Sequence, residues 1–157
     1  MRIGIGYDIH RLAAGRTMVL GGVKVPCQKG PVGHSDGDVL LHAVGDAILG
    51  AMAKEDIGVM FPDTDPAFKG VSSRDLLREV AGLMENEGYV VNNLDCVVVG
   101  EEPKIAPYRD EIRKVISGIL KAGEDVISVK GKTSEKMGPV GEGEAVAAYA
   151  VVLLEQK

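Results

Sequence analysis

Residues 145–154, A-V-A-A-Y-A-V-V-L-L, present apolar side chains to both faces of any strand they form. Strand side chains alternate between faces, so such a strand belongs in a sheet covered on both sides. The rest of the chain supplies helices for one side only. The first helical pattern, residues 38–52, reads D-V-L-L-H-A-V-G-D-A-I-L-G-A-M. Residues 73–87 form an amphipathic helix with Leu76, Leu77, Val80, Leu83 and Met84 on its apolar side. In helix 108–121 the stripe is Ile112, Val115, Ile116, Ile119 and Leu120. Three helices are too few to sandwich a sheet, and another copy of the chain is the natural second cover. The expected architecture is α/β: a two-layer sandwich of a mixed β-sheet with helices on one face, in a homo-oligomer.

The remaining strands are read at 2–7, around T-M-V-L-G-G-V-K-V-P, at 94–99 and at 126–131, with Gly21-Gly22 suited to a tight hairpin turn. Between them run the loops K-G-P-V-G-H-S-D-G, D-I-G-V-M-F-P-D-T-D-P, G-E-E-P-K-I-A-P and T-S-E-K-M-G-P-V-G-E-G-E. G-P-V-G occurs at 30–33 and 138–141 with different flanks, so it marks two loops and not a repeat. At 157 residues, the chain is expected to be one domain spanning 1–157, burying roughly two-thirds of its unfolded surface.

Charge narrows the partners. A net charge of −5 without a basic run argues against nucleic acid and anionic membrane. No apolar stretch reaches transmembrane length, and the N-terminus opens directly into a strand, so a cytoplasmic location is expected. Cys27 and Cys96 are far apart and form no C-x-x-C, which indicates neither a disulfide framework nor a thiolate zinc site.

The chemistry gathers in the first third. G-Y-D-I-H-R, residues 6–11, sets Asp8 and His10 on one face of an extended stretch, with Ile9 free to enter the core from the other. On spacing alone this is a metal half-site or a polar sheet edge. His42 lies mid-helix among apolar neighbours, where a bland reading is a core histidine bonded to backbone. Asp38, His42 and Asp46 recur at i, i+4, a polar stripe costly to bury without purpose. Asp8, His10 and His42 suit a tetrahedral zinc site with one open position, and Asp38 or Asp46 would orient a ligand imidazole. All three histidines (His10, His34 and His42) fall in this region. Other motifs fail: G-I-G-Y-D-I has Ile9 at the third glycine of a dinucleotide fingerprint, G-K-T at 131–133 has Val126 where a P-loop needs glycine, and no G-x-S-x-G occurs.

In order and at matching intervals, the chain carries G-Y-D-I-H, H-S-D-G-D-V-L-L-H-A at 34–43, D-I-G…F-P-D-T-D-P at 56–66, P-K at 103–104 and K-T-S-E-K at 132–136. It resembles the 2-C-methyl-D-erythritol 2,4-cyclodiphosphate synthases of the non-mevalonate isoprenoid (MEP) pathway, from residue 1 to about 154. The resemblance implies a phosphorus–oxygen lyase that converts 4-diphosphocytidyl-2-C-methyl-D-erythritol 2-phosphate to the cyclic diphosphate and releases CMP. It also implies a homotrimer with inward-facing sheets and active sites at subunit interfaces. By the same resemblance Asp8, His10 and His42 hold Zn²⁺, while Glu135 holds Mg²⁺ or Mn²⁺. His34 and Thr133 match transition-state stabilisers and Ser35 a phosphate contact, with Ile9 among the substrate-binding positions. Asp56, Ile57, Gly58, Phe61, Pro62, Asp63, Thr64 and Asp65 match the methylerythritol phosphate pocket. Gly100, Glu101, Glu102, Pro103, Lys104, Ile105 and Ala106, with Lys132, Thr133, Ser134 and Glu135, match the cytidine and diphosphate site.

The chemistry is coherent on its own terms. A phosphomonoester has a second pKa of about 6, so the nucleophile is ionised near neutrality and no strong base is required. The rival readings are a zinc phosphohydrolase and a ligand-binding trimer with a structural metal. One departure stands out: where many members read G-F-x-G-R-G-E-G, this chain has Pro139 and Glu142. The family's arginine-lined axial anion site is therefore not expected here.

Overall fold

The computed structural model describes all of residues 1–157. Five strands form one sheet in the order β4-β1-β7-β5-β6: β1 (Arg2–Ala14), β4 (Lys29–Pro31), β5 (Tyr89–Val99), β6 (Ile127–Lys132) and β7 (Ala145–Gln156). Neighbours are antiparallel except β5 and β6, so the sheet is mixed. A separate hairpin pairs β2 (Met18–Leu20) with β3 (Val23–Val25). Its turn residues Gly21 and Gly22 have φ of 58° and 77°, the sign that suits a two-residue hairpin and that glycine adopts without a Cβ penalty.

Helices α1 (Val39–Ala51), α3 (Ser73–Asn86) and α4 (Arg109–Leu120) cover one sheet face. One-turn helices α2 (Ile57–Met60) and α5 (Gly138–Gly141) lie in the loops. Between the layers, Leu40, Leu41, Ile48, Leu77, Met84, Ile112 and Ile116 pack against Val146, Ala148, Val152 and Leu154 of β7. The expected two layers are present. On the opposite sheet face Ile3 and Ile5 are 71% and 70% exposed, with Tyr7, Tyr149 and Val151 beside them. That face has no cover within the chain.

Several boundaries differ from the sequence reading. The first strand continues to Ala14, because Asp8 and His10 still pair with Ala148 and Val146 and Leu12 then pairs with Pro31. Lys29–Pro31 is thus a short strand and not loop. The strand read at 94–99 begins at Tyr89, its early part disguised by Asn92 and Asn93 and broken by an irregularity between Val91 and Asn93.

Ile9 does not enter the core. It is 46% exposed on the uncovered face, and Asp8 and His10 point to the helix side. Gly4 and Gly6 share that side, where a Cβ on either would overlap the carbonyl oxygens of Ala47 and Ala43 in α1. Two missing side chains therefore let α1 lie directly on β1, which brings His42 over Asp8 and His10.

Candidate active site

The helix register and the strand register meet at one carboxylate oxygen. Asp8 Oδ2 is 2.9 Å from His42 Nδ1 and 3.0 Å from His10 Nδ1. One donor atom from each of the three residues lies within 4.8 Å of the others. His10 Nδ1 is buried and, although 3.0 Å from that oxygen, is not aligned for a hydrogen bond with it, which leaves a lone pair or proton that burial normally forbids. Two imidazole nitrogens and a carboxylate facing one point are the donor set of a zinc site that leaves one position open. The residues fit the ion.

The charges are tuned to match. Burial works to raise the Asp8 pKa, but the close approach and charge of the His10 and His42 rings bring it down to about 2. Burial favours neutral His42, yet its bond to Asp8, with the charges of Asp8, Asp38 and Asp36, carries its pKa above the usual value.

The cluster opens into a cavity of about 470 Å³ lined by His34, Ser35, Ile57, Gly58, Phe61 and Asp63 as well as Asp8, His10 and His42. His34 Nε2 is a second buried nitrogen without a partner. Ser35 Oγ lies 3.3 Å from His42 Nε2 and accepts the Gly37 N–H. Asp56 and Asp65 turn away from this cavity. Asp56 caps α2 through the Val59 N–H, and Asp65 accepts the Ala67 N–H. Pro62 and Thr64 sit in the same turn without lining the cavity wall.

The stripe Asp38–His42–Asp46 is not one unit. Asp38 is fully buried and its carboxylate accepts four backbone N–H groups: Gly21 and Gly22 of the hairpin turn, Leu40 and Leu41 of α1. Burial raises its pKa to about 6 against the opposing pull of those donors. Asp46 accepts the Ile57 N–H at 2.7 Å, anchoring α2. Neither is bonded to the His10 or His42 ring. That position is held by Ser73, the first residue of α3, whose Oγ lies 2.9 Å from His42 Nε2 and donates to Asp36. The sequence reading missed both. Nothing local marks Ser73 as a partner of a histidine 31 positions away.

A second, smaller cavity of about 160 Å³ is lined by Gly100, Glu102, Pro103, Lys104, Ile105 and Ala106 against Lys132 and Thr133. The two expected nucleotide loops thus come together. Arg109 also lines it, a cation that sequence reading had left out. Glu101 does not. Its Oε1 accepts the Ser134 and Lys136 N–H groups, tying one loop to the other. Between them Glu135 and Lys136 hold φ of 52° and 60°, a left-handed conformation costly for non-glycine residues. Glu135 Oε1 accepts from Thr133 Oγ1, Ser134 Oγ donates to the Met137 carbonyl, and Lys104 Nζ reaches the Glu101 carbonyl. Pro139 lies in α5 and Glu142 at its C-terminal end, with the Glu142 side chain exposed.

Residues 1–155 match the YgbB family. Over its full 157 residues the chain is 55% identical to the 2-C-methyl-D-erythritol 2,4-cyclodiphosphate synthase of Geobacter metallireducens, covering 100% of both. The chain belongs to this family. Cyclodiphosphate synthases of known structure share the fold. A Plasmodium falciparum IspF solved as a CDP complex superposes with TM-score 0.88 at 41% identity, covering 99% of this chain and 96% of that one. The bifunctional IspDF of Campylobacter jejuni gives TM-score 0.95 at 36% identity, covering 99% of this chain and 42% of that one. The chain is accordingly a lyase of the MEP pathway, a cyclodiphosphate synthase by activity. No helix is long and apolar enough to cross a membrane.

Proposed function

We propose that Asp8, His10 and His42 hold Zn²⁺, that Glu135 holds Mg²⁺ or Mn²⁺, and that the site they form closes 4-diphosphocytidyl-2-C-methyl-D-erythritol 2-phosphate into the 2,4-cyclodiphosphate. The observation that carries this is the convergence of two imidazole nitrogens on one Asp8 oxygen, with His10 Nδ1 buried and not aligned for a hydrogen bond to it. An oxygen of the ionised 2-phosphate bonds to the β-phosphorus of the diphosphate. The bond from that phosphorus to the bridging oxygen breaks, and CMP leaves with the electron pair. Bound, the cations would neutralise the diphosphate and polarise the phosphorus under attack.

The protein's share is position and charge. His34 and Thr133 stabilise charge on the transferring group, and Ser35 contacts phosphate. The cavity beside Ile57, Gly58, Phe61 and Asp63 takes the methylerythritol phosphate, with Asp63 on sugar hydroxyls. Cytosine lies on backbone groups of residues 100–106, since the chain has no Trp and only four Tyr and two Phe to stack against it.

The assembly we propose is a homotrimer closed over the exposed face of β1 and β7. Tyr7 and Tyr149 meet there with ring centroids 4.8 Å apart, beside Ile3, Ile5 and Val151. A single-subunit site is incomplete: the metal cavity and the nucleotide cavity share no lining residue. In the trimer, one subunit's metal cluster faces a neighbour's nucleotide loops. Incubation with the cytidyl substrate tests the reading. A cyclic product plus CMP is expected; CMP with the free acyclic 2,4-bisphosphate would identify a hydrolase, in which water attacks instead.

A further inference from the structure

Ser73 Oγ has two polar neighbours besides backbone, and they assign its proton. It lies against Asp36 Oδ1 and 2.9 Å from His42 Nε2. Asp36 also accepts the Ser73 N–H at 3.0 Å and the Asp38 N–H at 3.2 Å, so it stands at the first turn of α3 as an acceptor of three donors. An ionised carboxylate only accepts, so the proton between Asp36 and Ser73 belongs to the serine. The positive end of α3 favours that charge. With its proton spent on Asp36, Ser73 Oγ meets His42 through a lone pair, and Nε2 must carry the hydrogen. His42 Nδ1 is then bare in the neutral ring, 2.9 Å from the Asp8 oxygen. Two acceptors at that distance are reconciled only by a proton or a cation between them.

We infer that Asp36 and Ser73 are positioning residues: they hold His42 in the Nε2–H tautomer and so dedicate its Nδ1 to the metal. This rests on the zinc reading above. The group is built for the purpose. Ser73 is 1% exposed, and it is delivered by a helix that packs on α1. Ser35 Oγ is the lesser partner at 3.3 Å, and nothing bonded to it fixes the direction of its own proton. Outer hydrogen bonds of this kind set ring orientation and ligand basicity, and losing one lowers metal affinity about 10- to 100-fold.

Zinc affinity is measured by competition with a chromophoric chelator in the full-length protein and its variants. Ser73→Ala is expected to bind zinc about 10- to 100-fold more weakly. Ser73→Thr, which keeps the hydroxyl, is expected to restore most of the affinity. Asp36→Asn keeps a carbonyl acceptor for Ser73 but loses the charge, so its loss is expected to be smaller than that of Ser73→Ala. Zinc-loaded wild type labelled with ¹⁵N-histidine reports the tautomer directly, whether or not any variant folds. Its His42 signal is expected from Nε2–H. Protonation at Nδ1, or wild-type affinity in Ser73→Ala while His42→Ala has lost zinc, would overturn the relay alone. Wild-type zinc affinity in His42→Ala would instead remove the metal assignment on which it rests.

Discussion

The proposed metal cluster and the proposed nucleotide loops are built on opposite plans. Asp8, His10 and His42 stand on β1 and α1, and their geometry follows from element register and from the close approach that Gly4 and Gly6 permit. Residues 100–106 and 132–136 belong mostly to loops, and their geometry depends on one carboxylate, Glu101, bonded to two backbone N–H groups. In the proposed function the first region works through side chains on a backbone that the fold fixes. The second adds to its Thr133 and Glu135 side chains a loop backbone that another side chain fixes. The same types of residue therefore fail differently when removed.

The largest separation should come from His42→Ala. Alanine is the better helix former, so α1 persists while a zinc ligand is lost. Turnover is expected to fall by roughly 10³-fold or more, with most bound zinc gone and the far-UV circular dichroism unchanged. Full zinc occupancy in that variant would break the comparison at its root.

Asp38→Ala, one turn earlier in the same helix, should do the reverse. Four N–H groups lose their acceptor in a fully buried place, at a cost of about 3 kcal/mol or more. Denaturant midpoints should fall accordingly, while protein that remains folded keeps its zinc. A variant of wild-type stability that had lost zinc would make Asp38 a part of the metal site after all.

These two residues also show where the sequence was legible. Asp8 and His10 share a strand face and could be read from alternation alone. So could the lower layer of helices and the unmatched apolar face of residues 145–154. His42 stood out as a buried imidazole, but the i, i+4 stripe misled. Asp38 immediately precedes the apolar run of α1, and that position is a helix cap, a signal that was present and outweighed by periodicity. The inward face of β1 was likewise marked by Gly4 and Gly6, which have the parity of Asp8 and His10 and not of Ile9. Ser73 and Asp36 carried no such mark. Their meeting with His42 depends on how α3 packs over α1, a long-range event that local patterns do not encode. Glu101 is a similar case, a loop residue whose bonds are to another loop 33 to 35 positions on.

Glu101→Ala sharpens the contrast from the other side. Without its carboxylate the 133–136 loop loses the acceptor that offsets the left-handed Glu135 and Lys136, and a displacement of about 1 Å can cost about 10²-fold in kcat/KM. Zinc content should stay at the wild-type level, because no Glu101 bond reaches the metal cluster. Glu101→Gln keeps a carbonyl acceptor and should recover most of the activity. Equal losses in both variants would mean that the charge, not the loop geometry, is what the reaction needs.

The smallest effect expected is a pH dependence confined to the metal cluster. Asp8 is lowered from 3.8 to about 2 in the folded state, so its contribution to stability is complete above pH 3.8 and lost as pH falls toward 2. His42 is raised above 6.5, so its contribution is complete below 6.5 and lost as pH rises through the folded value. The two windows overlap between roughly pH 4 and 6.5, where the Asp8–His42 pair is fully charged in the zinc-free protein. Above that window, the difference in melting temperature between zinc-free wild type and His42→Ala should shrink by on the order of 2 °C. Zinc should reverse the trend. It binds the deprotonated ring, so its stabilisation of the wild type grows as pH rises. No Glu101 bond reaches Asp8 or His42, and Glu101→Ala should leave both slopes unchanged. A zinc-free wild type whose advantage over His42→Ala grew above pH 6.5 would show that the imidazole is held neutral in the fold. The close approach of His42 Nδ1 to the Asp8 oxygen would then need another explanation.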